Sequence, residues 1–273
     1  MGIVVEFVQP TLWQSPNGSF RIAVWGSFVI LGTFISYIFL RTVYSRHKLP
    51  KSVSPFEYLV VPVAAGLVGS KLHSLIDKGL WTLPNGFADI KTSGMYWQGG
   101  MALGVIVFLT FVKFTTTEPL ARISDITMPT IPLGYGVGKL GCFFSGDGCY
   151  GEPTSLPWGM SFPNALIPTR QFVHPVPLYE FILAWICAWI LWKRSEQWTP
   201  ATYRPWDNTL WTFILVSITR FFIEFVRSHR LVVAGLLTSF QMNCLLAIIG
   251  SLLIRMYLAK FVWIRSFDSK KSN

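Results

Sequence analysis

Apolar residues recur along this chain in runs long enough to cross a bilayer, separated by short polar and basic segments. The pattern predicts seven membrane-spanning helices, near 22–40, 56–76, 96–113, 126–144, 176–192, 208–226 and 236–259. The second and fourth contain Pro62, Pro129 and Pro132 as well as glycines, so kinks or breaks are expected there. Such breaks are tolerated at membrane depth only where the freed backbone groups face protein or water. Residues 1–20 read as a short interfacial lead, and 145–175 as an ordered irregular loop rich in Gly and Pro. The expected fold is an all-α integral membrane protein, a single polytopic domain over 1–273 embedded in a lipid bilayer.

Composition agrees with that pattern. At 52% hydrophobic and 13% charged residues the chain is too apolar for an ordinary soluble domain. The N-terminus has no basic stretch leading into an apolar core and a cleavage site, so no cleaved signal peptide is expected. A net charge of +10 would suit nucleic acid, but its distribution argues against such a partner. Arg41, Arg46, Lys48, Lys51, Lys113, Arg122, Lys193, Arg194 and Arg204 fall in loops on one side, joined by five basic residues of the tail. The other side holds only Arg21, Lys78, Lys91, Arg170, Arg227 and Arg230. The positive-inside rule then places the N-terminus outside and the C-terminus in the cytoplasm.

Three basic residues remain inside spans: Lys71, Lys139 and Arg220. Lys139 lies in LGYGVGKLGCFFSGDGCYG, residues 133–151, among seven glycines. Glycine lets a ligand approach closely and leaves amide N–H groups for an anion, so one reading has Lys139 facing a phosphate. The other has the glycines packing helices while Lys139 snorkels to a surface. In RFFIEFVR, Arg220, Glu224 and Arg227 stand at i, i+4 and i+7, on one helical face. An intramembrane arginine needs a partner, and its planar fork suits phosphate or carboxylate; an internal Arg220–Glu224 salt bridge is the competing reading. His174 opens HPVPLYE ahead of Tyr179 and Glu180 and serves as a base, as a phosphate ligand or as a loop cap. Cys142 and Cys149 flank FFSGDG at a spacing that permits a disulfide, and the four cysteines form no metal signature. No metal and no cofactor is expected.

Seven ordered stretches stand out: GLVGSKL at 66–72, SGMYWQGGMALGVIV at 93–107, GKLGCFFSGDGCYG at 138–151, LPWGMSFP at 156–163, HPVPLYE at 174–180, RFFIEFVR at 220–227 and LLTSFQ at 236–241. Together they resemble the prolipoprotein diacylglyceryl transferase family of bacterial inner membranes. The resemblance implies a multi-pass inner-membrane enzyme that moves diacylglycerol from phosphatidylglycerol to the lipobox cysteine thiol of a prolipoprotein signal-peptide region. The thiol attacks the glyceryl carbon and glycerol phosphate leaves, which calls for cations at the phosphate and a base for the thiol. Carried onto this chain, the resemblance assigns the positions of Arg220 and Gln98 to catalysis, and His174, at the outer mouth beside Tyr179 and Glu180, is the candidate substitute base. The resemblance assigns Lys139, Arg227, Glu224, Asp147, Gly138, Gly141, Ser145 and Tyr179 to substrate binding. The chain departs from the family pattern at several of these. Lys139 replaces an arginine, Cys142 and Ser145 replace asparagines, and Asp147 replaces a glutamate. Gln98 stands where the family has a histidine, Val216 where it has a tyrosine, and Pro177 where it has a glutamine. A lipid-dependent transferase with another acceptor, or a silent lipid-binding membrane protein, are the alternative expectations.

Overall fold

The computed structural model describes residues 2–17, 21–49, 54–77, 95–199, 202–227 and 236–271. Lys51, Lys78, Lys91 and Arg230, part of the charge asymmetry above, lie outside the described residues. The chain forms two compact units, residues 36–127 and residues 1–35 with 128–273. Helices dominate both. They are α1 (Val24–Arg46), α2 (Pro55–Asp77), α3 (Trp97–Thr115), α4 (Leu120–Thr127), α5 (Thr130–Ser145), α6 (Val176–Glu196), α7 (Asp207–Ile223) and α8 (Ser239–Lys271).

Among the described residues, six helices are long and apolar enough to cross a membrane. Only 11–39% of their most apolar windows is buried within the protein. Ile30, Phe34, Phe114, Phe222 and Met256 point outward, and such continuous apolar exposure needs lipid to cover it. The expected fourth span departs from the seven-helix reading. Its residues form the 16-residue α5, separated by a break at Met128–Pro129 from α4, which falls almost wholly in the expected preceding loop; proline lacks an N–H and restricts the residue before it.

In the 36–127 unit, α2 and α3 pack through glycines. A Cβ on Gly69 would lie 2.3 Å from the Gly99 carbonyl oxygen, and one on Gly104 would lie 3.1 Å from that of Pro62. Small residues at this spacing let two backbones touch, the usual means of joining helices in lipid. Tyr58 and Thr115 close the far end of the pair through their hydroxyls, 2.6 Å apart.

The other unit packs α5 against α6, α6 against α7, and α7 against α8. It also carries strands that the apolar pattern did not predict. β1 (Ile3–Val4), β4 (Met160–Phe162) and β5 (Thr169–Val173) form one sheet in the order β1-β4-β5, and β2 (Thr11–Gln14) pairs with β3 (Arg21–Ala23). The segment read as irregular loop therefore docks on the N-terminal lead. Val5, Val8, Phe143, Phe162, Ala165 and Val173 form the core beneath it, with Tyr150 stacked on Phe162 at 4.4 Å. At the opposite ends of α6 and α7, Asp207 pairs with Arg194 at 2.5 Å and with Arg255 of α8. Both guanidinium groups lie 4.8 Å from the Trp211 ring.

Candidate active site

The charged residues of the second unit converge on Glu180, which is buried in the first turns of α6. Its Oε2 pairs with Lys139 Nζ of α5 at 2.8 Å. Its Oε1 lies 3.3 Å from Arg227 Nη1 and 3.7 Å from Arg220 Nη1, and it accepts a 2.8 Å hydrogen bond from the Tyr135 hydroxyl. Tyr135 precedes Lys139 by one helical turn, so α5 offers both groups on one face, with Lys139 Nζ 5.2 Å from the Tyr135 ring. Lys139 therefore does not snorkel outward; its side chain is 13% exposed and ion-paired.

A second carboxylate joins this group. Glu224 Oε2 pairs with Arg220 Nη2 at 2.7 Å, and its Oε1 accepts a 3.0 Å hydrogen bond from the Thr238 hydroxyl. Thr238 also caps α8 in a capping box. Its Oγ1 accepts the Gln241 backbone N–H, while Gln241 Oε1 accepts the Thr238 N–H. The sequence TSFQ thus starts a helix and holds Glu224 with a single hydroxyl.

Arg220, Glu224 and Arg227 do not share a continuous helical face. The α-helix ends at Ile223, residues Glu224–Val226 tighten into a 3₁₀ turn, and Arg227 is extended. Arg227 nevertheless reaches Glu180. Burial works against its positive charge, but Glu180 more than offsets that and raises its pKa.

Three cations face two carboxylates here, which leaves one positive charge. Arg220 Nη1 is buried and, at 3.7 Å from Glu180, has no hydrogen-bond acceptor among the described residues. A buried, undonated guanidinium N–H beside a net positive charge is a docking point for an anion. Tyr179, Ile182, Leu183, Phe222, Ile223 and Val226 line an apolar groove of about 370 Å³ between α6 and α7. Tyr179 and Val226 adjoin Glu180 and Arg227 in sequence.

The remaining expected residues scatter. His174 Nδ1 lies 3.3 Å from the Tyr179 hydroxyl, which also accepts the Trp158 indole N–H at 2.8 Å. Gln98 is exposed on α3 of the other unit. Ser145 is buried and donates to the Cys142 carbonyl at 3.3 Å. Gly141 serves packing, since a Cβ there would meet Phe28 at 2.8 Å, whereas Gly138 faces open space. The amides of both lie inside α5, where the helical ladder engages them, so the expectation of free glycine N–H groups for an anion is not met there. Gly146 is different, ending α5 in the left-handed region at φ 61°.

Asp147 Oδ1 accepts the Cys149 N–H at 3.1 Å. All four cysteines are free thiols. The neighbouring Cys142 thiol lowers the Cys149 pKa, against the opposing effect of burial. Sequence reasoning named Glu180 only as a neighbour of His174 and missed Tyr135 and Thr238. A carboxylate inside an apolar span, which must find a cation, was the available signal for Glu180.

A family model for prolipoprotein diacylglyceryl transferase matches residues 10–257. The chain belongs to that family. A Geobacter sulfurreducens relative, a phosphatidylglycerol–prolipoprotein diacylglyceryl transferase, is 28% identical over 245 residues, covering 88% of this chain and 90% of its own. A relative of the same name from Thermotoga maritima is 26% identical across 85% of this chain and 80% of its own. One from Marinomonas sp. reaches 34% identity, but over 58% of this chain and 60% of its own. Within the family, the Glu180 cluster joins residues from four of the seven motifs that carry the resemblance, 138–151, 174–180, 220–227 and 236–241.

Proposed function

We propose that this protein transfers the diacylglyceryl group of phosphatidylglycerol to the lipobox cysteine thiol of prolipoproteins. Family membership supports the reaction class, and the Glu180 cluster carries the assignment of the donor site. A phosphodiester headgroup bears one negative charge, which matches the one positive charge left by Lys139, Arg220 and Arg227 against Glu180 and Glu224. The undonated Arg220 Nη1 receives a phosphate oxygen. The apolar groove beside Tyr179 takes acyl chain.

As the thiol sulfur attacks the glyceryl carbon, negative charge grows on the departing phosphate, and Arg220, Arg227 and Lys139 stabilise it. His174, held by Tyr179, takes the thiol proton. Gln98 cannot be that base, since an amide side chain does not titrate at neutral pH.

The chain works as one polytopic domain in a bacterial inner membrane. The fourth apolar run, which forms α5, makes the seventh passage, with the N-terminus outside and the C-terminus in the cytoplasm. The basic loops and tail support that orientation.

The test is transfer of labelled diacylglycerol from phosphatidylglycerol to a lipobox peptide by wild type and by Arg220→Lys. Lysine keeps the charge and loses the fork, so turnover should fall on the order of 10–100-fold in a protein that still inserts and folds, the cost of one charged hydrogen bond. Undiminished transfer would reduce Arg220 to a structural ion pair.

A further inference from the structure

Eleven residues beyond the start of the Tyr135–Lys139–Cys142 face, at Gly146, the chain turns back on itself. Cys142 sits in the last turn of α5, and the Gly146 and Asp147 amides both donate to its carbonyl oxygen, at 3.0 and 3.4 Å. Gly146 and Gly148 have φ of 61° and 84°, a region that strains other residues, so two glycines bend the chain until residue 149 stands beside residue 142. The two sulfurs and a carboxylate oxygen of Asp147 then all lie within 4.8 Å of one another. Asp147 uses Oδ1 to accept the Cys149 N–H, which leaves Oδ2 free of that bond.

We propose that Cys142, Asp147 and Cys149 bind one zinc-like divalent cation, with water completing a tetrahedron. Zinc bonds of about 2.3 Å to sulfur and about 2.0 Å to oxygen set ligand atoms roughly 3.5–3.8 Å apart. Closing the widest pair therefore takes a shift of about 1 Å. Two thiolates and a carboxylate suit borderline-soft zinc and disfavour magnesium and calcium, which prefer all-oxygen shells. Cys142 is buried and its two partners are half-buried, so a hydrated ion enters from the Cys149 side.

Charge favours the site as well. Before binding, two neutral thiols and one carboxylate carry a single negative charge. The cation displaces two thiol protons, and the product, two thiolates and a carboxylate around a dication, again carries one. Lys139, on the same face of α5 as Cys142, faces the same net charge in either state. Loading therefore leaves the one positive charge of the Glu180 cluster undisturbed. It cross-links the end of α5 to the loop that follows it and so fixes the helix carrying Lys139. The inference does not depend on which reaction the protein performs.

The test uses the full chain, purified in detergent and fully reduced, titrated with cobalt(II). One equivalent should give a thiolate-to-cobalt charge-transfer band with the visible spectrum of a tetrahedral ion, release two protons, and be displaced by zinc(II). Cys142→Ser and Cys149→Ser should each abolish the band, and Asp147→Asn should weaken binding by at least about tenfold. Cys187→Ala and Cys244→Ala should bind as wild type does. A reduced wild-type protein that gives no thiolate–cobalt band overturns the proposal, and so does a band that survives in the Cys142→Ser/Cys149→Ser double variant. Recovery of the protein solely as a Cys142–Cys149 disulfide, with no cobalt binding after reduction, overturns it as well.

Discussion

Replacing Glu180 by glutamine isolates the electrostatics of the cluster. The amide nearly preserves shape and can still accept from Tyr135, but it leaves Lys139, Arg220 and Arg227 without their shared anion. At an effective dielectric constant of about 20, the 2.8 Å Lys139 contact alone corresponds to about 6 kcal/mol of Coulomb attraction. Much of that offsets the cost of removing both charges from water, and breaking one side of a buried pair typically destabilises by about 3–5 kcal/mol. Glu180→Gln should fall in that range. Lys139→Met alone should cost less, because Arg227 and Arg220 still neutralise Glu180. The double variant should be more stable than the sum of the two losses implies, by roughly 1–3 kcal/mol, since Lys139 is no longer left without its anion and only Arg227 remains so. The assay is reversible unfolding in mixed micelles with rising SDS, run on wild type and the three variants. Losses that simply add would refute the reasoning, because they would mean that Lys139 and Glu180 do not see each other.

The other predictions address the base, the cap and the topology. His174→Ala should lower transfer to a lipobox peptide by about 10²–10⁴, the usual scale for a general base, and Gln98→His should raise it; an unaffected His174→Ala would place the base elsewhere. Thr238→Ala removes both a helix cap and a hydrogen bond to a carboxylate, so it should cost about 2–4 kcal/mol in the same unfolding assay, with Thr238→Ser recovering most of it. In intact cells, an impermeant thiol reagent should label a cysteine placed at Asn164 but not one placed at Ser269, and the reverse pattern would invert the orientation.

The long helices were legible because lipid imposes a simple rule: an apolar run of sufficient length must be a helix. Pro129 likewise announced the break in the fourth run, although the run's length concealed how short α5 is. The strands were not legible, since elements of two to five residues in Gly- and Pro-rich sequence leave no period to read. Within the site, the Arg220–Glu224 pair could be read because its partners are one helical turn apart. The role of Glu180 could not, because its partners stand 41, 40 and 47 residues away and meet only through packing of α5, α6 and α7. The i+7 position of Arg227 was misleading for a local reason, the change from α to 3₁₀ winding at Glu224. Asp147 beside two thiols could not be foreseen either, since Gly146 and Gly148 decide where Cys149 comes to rest.

The two guanidinium groups pressed against Trp211 make the three-helix set behave like tongs with a fixed rivet. Asp207 binds Arg194 near the end of α6 and Arg255 well along α8, so α6, α7 and α8 are pinned together there. Glu180 stands 14 residues before Arg194 on α6, about 21 Å away along the helix axis. Glu180 meets Arg220 and Arg227 at 3.7 and 3.3 Å, so the far end is clasped as well, but less tightly than by the 2.5 Å pair at the rivet. The apolar groove between α6 and α7 accordingly opens beside Tyr179, Phe222 and Val226, where the clasp is looser.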